Sequence, residues 1–151
     1  MNIVKLLARE EGFRSEPYIC SEGYPTIGIG WKIGRHNQSL NDFEVMQISE
    51  EAAQSQCKAE IHELEMNLHC VIDCWQDLSE PRQAVLISMA YQMGLSGLLK
   101  FKNMLAAIET QCWNDAAHEG LDSRWARQTP ERAERQMKTL LLGDWSEYDL
   151  G

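Results

Sequence analysis

The sequence predicts a mostly helical α+β protein with two lobes: a small β-containing lobe near the amino terminus, joined by a long helix to a helical bundle. Three observations predict it. β-Prone, glycine-punctuated segments are confined to residues 18–30. From residue 49 onward apolar residues recur at helical spacing. Helix-start signals, a serine or threonine followed by acids or proline, stand at Ser49, Ser79 and Thr129.

Taken in order, Ile3, Val4, Leu6, Leu7 and Ala8 are dense enough for a short amphipathic helix over residues 2–11, with Gly12 as its stop. Residues 18–20, the turn Ser21, Glu22, Gly23, and residues 24–29 read as a hairpin. Gly28 and Gly30 in this stretch suggest bending, or close approach by backbone or ligand. Residues 33–41 are polar and close the small lobe in loops. Ser49 with Glu50 and Glu51 behind it is a cap with acids at the positive end of a helix dipole, and the helix continues to about Leu68. Ser79, Glu80 and Pro81 open an almost wholly apolar helix that ends near Gly94 and is the candidate central helix. Thr129 and Pro130 precede a helix with Ala133, Met137, Leu140 and Leu141 on one stripe, stopped by Gly143. With no repeat or Pro/Ser-rich linker, residues 1–151 form one domain: a lobe over about 12–48, a connecting helix over about 49–68, and a helical lobe from 69–151 plus 1–11.

At 151 residues and 44% hydrophobic content the chain can bury a core of its own. Its longest apolar runs fall far short of the roughly 20 residues of a bilayer span. Residues 1–9 lack the apolar stretch and cleavage site of a secretion signal, and read as mature protein. The five cysteines, Cys20, Cys57, Cys70, Cys74 and Cys112, are an odd number with no disulfide framework, so reduced thiols are expected. A net charge of −9 argues against a nonspecific nucleic-acid binder. It also gives no electrostatic help on an anionic surface.

Metal and cofactor signals fail. His69, Cys70, Asp73 and Cys74 contain two i,i+4 pairs on a possible helix, without the paired spacing of a zinc site. His62, Glu63 and Met66 fall one ligand short of a zincin helix. There is no phosphate-binding loop, and Gly28 with Gly30 lacks the third glycine of a dinucleotide site. No cofactor or metal is expected. The tryptophans Trp31, Trp75, Trp113, Trp125 and Trp145 read as core or lobe-packing residues.

Glu11 ends a helix just before Gly12, and desolvation in a cleft would suit it to general acid work. Beyond it come eight residues, Cys20, five residues, then Thr26 leading into Ile27, Gly28, Ile29 and Gly30. This spacing resembles the bacteriophage lysozyme (endolysin) family of the T-even type, glycoside hydrolase family 24. The opening Met1, Asn2, Ile3 and the segment Glu22, Gly23, Tyr24 are similar to the family's amino-terminal lobe. Gln92, Met93 and Gly94 resemble a cleft segment. Ser123, Arg124, Trp125, Gln128, Thr129, Pro130 and Arg132 resemble its carboxy-terminal helices, while residues 32–78 match weakly.

The resemblance implies the lysozyme fold and an endo-acting muramidase that cleaves the β-1,4 bond between N-acetylmuramic acid and N-acetylglucosamine in peptidoglycan. It implies Glu11 as general acid, Thr26 holding the attacking water, and Cys20 where the best-known members carry an aspartate. A thiol is neutral near pH 7 at its reference pKa of about 8.5, so Cys20 needs a depressed pKa to act as base or nucleophile. Lys32 and Arg35 are the nearest cations after the hairpin. Cys20 read on its own is equally a small buried hydrophobe, and Thr26 an ordinary strand residue. The resemblance puts Gly30, Lys32, Tyr91, Gln92, Met104, Glu119 and Arg132 along the sugar cleft, with Arg132 pairing with Glu11. Tyr91 alone would also suit a core, and Arg132 a surface. Trp31 replaces a histidine common in the family. The rival expectation is a catalytically weak peptidoglycan-binding domain or wall-targeting effector on the same fold. A monomer is expected, accumulating in a host bacterial cytoplasm, released through a phage holin and acting on the wall in the periplasm.

Overall fold

In the computed structural model, residues 1–149 are described. Helix α1 (Ile3–Glu11) starts where the Asn2 side chain accepts from the Lys5 amide at 3.0 Å and ends at Gly12, whose φ of 71° a β-carbon disfavours. Its Leu6 and Leu7 are fully buried.

Three antiparallel strands follow in the order β1 (Arg14–Ile19), β2 (Pro25–Gly28) and β3 (Trp31–Lys32). The turn between β1 and β2 closes through bonds from Gly23 N to Cys20 O and from Cys20 N to Tyr24 O, both 2.9 Å. The first strand begins at Arg14, four residues before the sequence reading placed it. The segment Arg14, Ser15, Glu16, Pro17 carries no apolar alternation because β1 is an edge strand with its outer residues exposed. Tyr18 pairs with Thr26 and Arg14 with Gly28, so Ser15, Glu16 and Pro17 stand opposite Ile27 alone, a β-bulge. Pro17 has no N–H to give the ladder, and the Ser15 carbonyl instead accepts from Ile48 N at 3.0 Å.

Helix α2 (Glu50–Val71) is capped by Ser49, whose hydroxyl accepts from Ala52 N at 3.1 Å. It runs three residues past the expected end because neither glycine nor proline lies between Leu68 and Ile72. Asp73 and Cys74 therefore fall beyond the helix, and the four-residue cluster with His69 and Cys70 is not on one helix. Ala53 of α2 packs 3.2 Å from the point where a β-carbon on Gly28 would stand, the close approach that Gly28 permits.

The helical body comprises α3 (Glu80–Met93), α4 (Leu95–Leu99), α5 (Lys102–Glu109), α6 (Trp113–Leu121), α7 (Arg124–Gln128), α8 (Pro130–Leu142) and α9 (Ser146–Asp149). Every residue of α3 from Ala84 to Tyr91 is buried, so this stretch is enclosed all round, is apolar apart from Ser88, and forms the centre of the core. The starts of α3 and α8 keep their early prolines, but Ser79 and Thr129 do not cap with their side chains. Ser79 donates to Gly143 O at 3.0 Å and Thr129 to Trp125 O at 3.0 Å, tying each start to another element. Trp75 and Trp125 are core residues, while Trp31, Trp113 and Trp145 are half-buried. Among the described residues no helix is long and apolar enough to cross a membrane.

Candidate active site

The end of α1, the sheet, the end of α3 and the start of α8 enclose a cleft of about 720 Å³. Glu11, Cys20, Thr26, Gly30, Lys32, Tyr91, Gln92 and Arg132 all line it. Glu11 is the last residue of α1, at the negative end of the helix dipole, where a carboxylate is unfavourable without a cation. Arg132 supplies one: its Nη1 donates to Glu11 Oε1 at 2.8 Å, both side chains being largely buried. The guanidinium is held from behind, Nη2 donating to Ser88 Oγ at 3.0 Å, while Gln136 Nε2 donates to the same oxygen at 2.7 Å. Ser88 and Gln136 are fully buried, so this chain fixes the arginine.

Gly30 has a φ of 63°, and an added β-carbon there would lie 2.8 Å from Glu11 Oε2. The backbone before it is tied down by Tyr91, whose hydroxyl donates to the Ile29 carbonyl. Tyr91 is thus mostly a core residue, 7% exposed, with one edge on the cleft.

Cys20 opens the hairpin turn and is partly exposed. Thr26, 2% exposed on β2, spends its proton on the Tyr24 carbonyl at 2.8 Å. With its only proton committed, the oxygen can engage a further group only as an acceptor. The Lys32 ammonium donates to Glu22 Oε2 at 2.9 Å and to the Gln92 carbonyl at 3.0 Å, and stands 4.7 Å from the Tyr24 ring centre. It is committed to those partners, bridging hairpin and α3. Arg35 lines a separate depression with Ile33, Gln38 and Phe43. The Gln92 side chain accepts from Trp125 Nε1 at 2.8 Å.

Two residues expected along the cleft lie elsewhere. Met104 and Glu119 border a second depression, of about 370 Å³, that meets the cleft at Glu22. Met104 is only 1% exposed because its side chain fills the space beside Gly120 in the core. Trp31 borders a third depression with Gln56, Glu60 and Glu63. There Glu60 accepts from Gln56 Nε2 at 2.8 Å, and burial pushes its carboxyl above the ordinary range.

Three cleft groups escaped sequence reasoning. Glu10, with a side chain only 3% exposed, is bonded by both Arg135 Nε (3.1 Å) and Nη2 (2.8 Å), and by the Tyr148 hydroxyl at 2.7 Å. Arg135 itself lines the cleft. Tyr18 also lines it; burial raises its phenol pKa, with the charges of Glu11 and Cys20 adding to the effect. A signal for Tyr18 existed in the strand period of two, which sets it on the same face as Cys20.

A three-stranded sheet set against a helical body, with a largely buried carboxylate–arginine pair sharing one cleft with a thiol and a threonine, is the arrangement of a two-lobed hydrolase of the lysozyme class. Residues 8–141 match the phage lysozyme family, and the chain belongs to that family of glycoside hydrolases. It is 32% identical over 168 residues to the pre-baseplate central spike protein Gp5 of Enterobacteria phage T4, covering 98% of this chain but 29% of that protein. It is 31% identical to probable T4-type lysozyme 2 of Dictyostelium discoideum, covering 95% of each. The peptidoglycan hydrolase gp36 of Pseudomonas phage phiKMV is 29% identical over 90% of this chain and 15% of its own length.

Proposed function

We propose that the chain hydrolyses the β-1,4 bond between N-acetylmuramic acid and N-acetylglucosamine in bacterial peptidoglycan, with water as acceptor. The observation that carries this reading is the Glu11 carboxyl in the cleft, paired with Arg132 at 2.8 Å and sharing that cleft with Cys20 and Thr26. Glu11 protonates the departing glycosidic oxygen. Thr26, able only to accept, holds a water by one of its protons.

Cys20 takes the second role on the opposite side of the sugar. As thiolate it either draws the proton from that water, inverting the anomeric centre, or attacks the carbon itself to give a thioglycoside that water then cleaves. Gly30, Lys32, Tyr91, Gln92 and Arg132 border the sugars nearest the cut, and the depression beside Met104 and Glu119 takes the strand further along. The lobes about 12–48 and 69–151 plus 1–11 close on the glycan from either side of the connecting helix. The protein works as a monomer, gathers in the host cytoplasm and reaches the periplasmic wall through a holin.

The test is release of new reducing ends from purified peptidoglycan by wild type, Glu11→Gln and Cys20→Ser. Wild-type cleavage that is lost in Glu11→Gln supports the reading, and the Cys20→Ser result assigns the second role. A folded wild type that binds the wall without cutting it overturns the reading in favour of a binding module. Cys20, in place of a carboxylate, is the observation that favours that alternative.

A further inference from the structure

Four cations line the cleft: Arg14, Lys32, Arg132 and Arg135. Three have carboxylate partners, Lys32 with Glu22, Arg132 with Glu11 and Arg135 with Glu10. Arg14 has none within 4.0 Å among the described residues, and its guanidinium carbon stands 4.5 Å from the centre of the Tyr18 ring. In a regular strand, residues four apart are separated by roughly 13 Å. The bulge at Ser15, Glu16 and Pro17 curls β1 at this point, and Arg14 folds back onto the ring of Tyr18. The contact orders a long side chain at the cleft edge, and its N–H groups make no hydrogen bond among the described residues. Tyr18 meanwhile presents a half-buried phenol beside Glu11 and Cys20, directly across the ladder from Thr26. Its hydroxyl makes no hydrogen bond among the described residues.

We propose that Arg14 and Tyr18 form a recognition element for an acidic saccharide: the guanidinium pairs with a carboxylate carried by the substrate, and the phenol donates to a sugar oxygen at the cleavage point. The proposal rests on the peptidoglycan reading above, because that polymer carries carboxylates on its stem peptides. It names what draws a chain of net charge −9 to an anionic polymer: one pre-ordered cation in the cleft, not the overall field. The arginine is suited to this, since its planar fork meets a carboxylate through two bonds.

The experiment compares purified peptidoglycan in its natural state with the same material whose carboxyl groups have been amidated by carbodiimide and methylamine. Binding is measured by co-sedimentation in a Glu11→Gln background, so that the readout does not need turnover. Arg127→Gln, which removes one exposed charge from α7 outside the cleft, is the control for net charge. The ratio of affinities, natural over amidated, should be about fivefold lower for Arg14→Gln than for Arg127→Gln, with Arg14→Lys in between. Tyr18→Phe should lower kcat/KM on natural peptidoglycan about tenfold with no fall in Tm.

Equal ratios in Arg14→Gln and Arg127→Gln, or full activity in Tyr18→Phe, overturn the proposal. A protein that prefers the natural wall through Arg14 but releases no reducing ends keeps the recognition element and loses the hydrolase reading. One that cuts both walls with no dependence on Arg14 does the reverse.

Discussion

Glu11 occupies the space that a side chain on residue 30 would need: its Oε2 lies 2.8 Å from the β-carbon position of Gly30. The carboxylate is seated against bare backbone, and Gly30 also holds a φ of 63° that an L side chain resists. Gly30→Ala should cost about 1–2 kcal/mol for the backbone alone. Displacing Glu11 should cost a further loss of about 100-fold or more in turnover. Gly94→Ala, at a φ of 81° with nothing within 4 Å, should show the stability loss without the loss of turnover. Thermal melts and reducing-end assays on the two variants separate strain from displacement.

Glu10 should matter to stability where Glu11 matters to chemistry. Glu10→Ala leaves the Arg135 guanidinium and the Tyr148 hydroxyl without their shared acceptor, and should destabilise by about 3 kcal/mol. Tyr148→Phe, which removes one bond of the three, should cost about 1 kcal/mol. Urea midpoints measure both, and a Glu10→Ala variant as stable as wild type would contradict the network.

Ser88→Ala removes the oxygen that receives both Arg132 and Gln136. Gln136 loses its acceptor and Arg132 keeps only the longer 3.5 Å bond to the Ser88 carbonyl, so a loss of about 1–3 kcal/mol is expected. Turnover should also fall in the molecules that remain folded, because Arg132 is then free to leave Glu11. Unchanged turnover with lower stability would show that Arg132 holds its place without Ser88.

Glu60 sets a pH dependence. Burial first, then the negative charges of Glu63 and Glu11, raise its folded pKa, against the bond from Gln56 and the Lys32 ammonium. Between the unfolded and folded pKa values the folded state therefore binds the extra proton, and stability falls as pH rises through that window. Glu60→Gln keeps an acceptor for Gln56 and removes the charge. It should melt above wild type at pH 7 by a few tenths of a kcal/mol, Glu60 being partly exposed, and the advantage should vanish below the carboxylate range. A variant that gains nothing at pH 7 would refute this.

Cys20 can be isolated chemically. With the exposed Cys70 and Cys112 changed to serine, iodoacetamide should add one label at Cys20 and stop lysis in step with it, while the buried Cys57, and Cys74, whose thiol burial pushes up to about 11, stay unmodified. Full lysis by the labelled protein would remove the thiol from the mechanism.

Local signals carried most of the elements. Gly12 stops α1 as read, because a positive-φ stop acts within one turn, while Asn2, read as the first residue of the helix, is its cap. Ser49 caps α2 for the same reason, but the far end of α2 lacks a stop residue and was read short. Arg14 to Pro17 were invisible as strand because an exposed edge needs no alternation. Within the site, the spacing of Glu11, Cys20 and Thr26 and the pairing of Arg132 came from family resemblance, and the structure brings all four to one cleft. The separate fates of Glu10 and Glu11 were not legible. Adjacent residues point about 100° apart on a helix, and what each meets lies 125 and 121 residues away in sequence. The burial of Met104 beside Gly120 was not legible for a related reason: a position on a helix does not say which side of that helix the core takes.

The charges of the cleft bear on how the molecule would meet its polymer. Four carboxylates, of Glu10, Glu11, Glu22 and Glu131, stand there with four cations, so the lining sums to zero in a chain of −9. The excess charge is therefore carried by the remaining surface. An anionic polymer therefore meets less repulsion at the lining of the cleft than at the average of the remaining surface. A net negative surface binds an acidic matrix less tightly away from the cleft than a basic one would, and added salt weakens that difference.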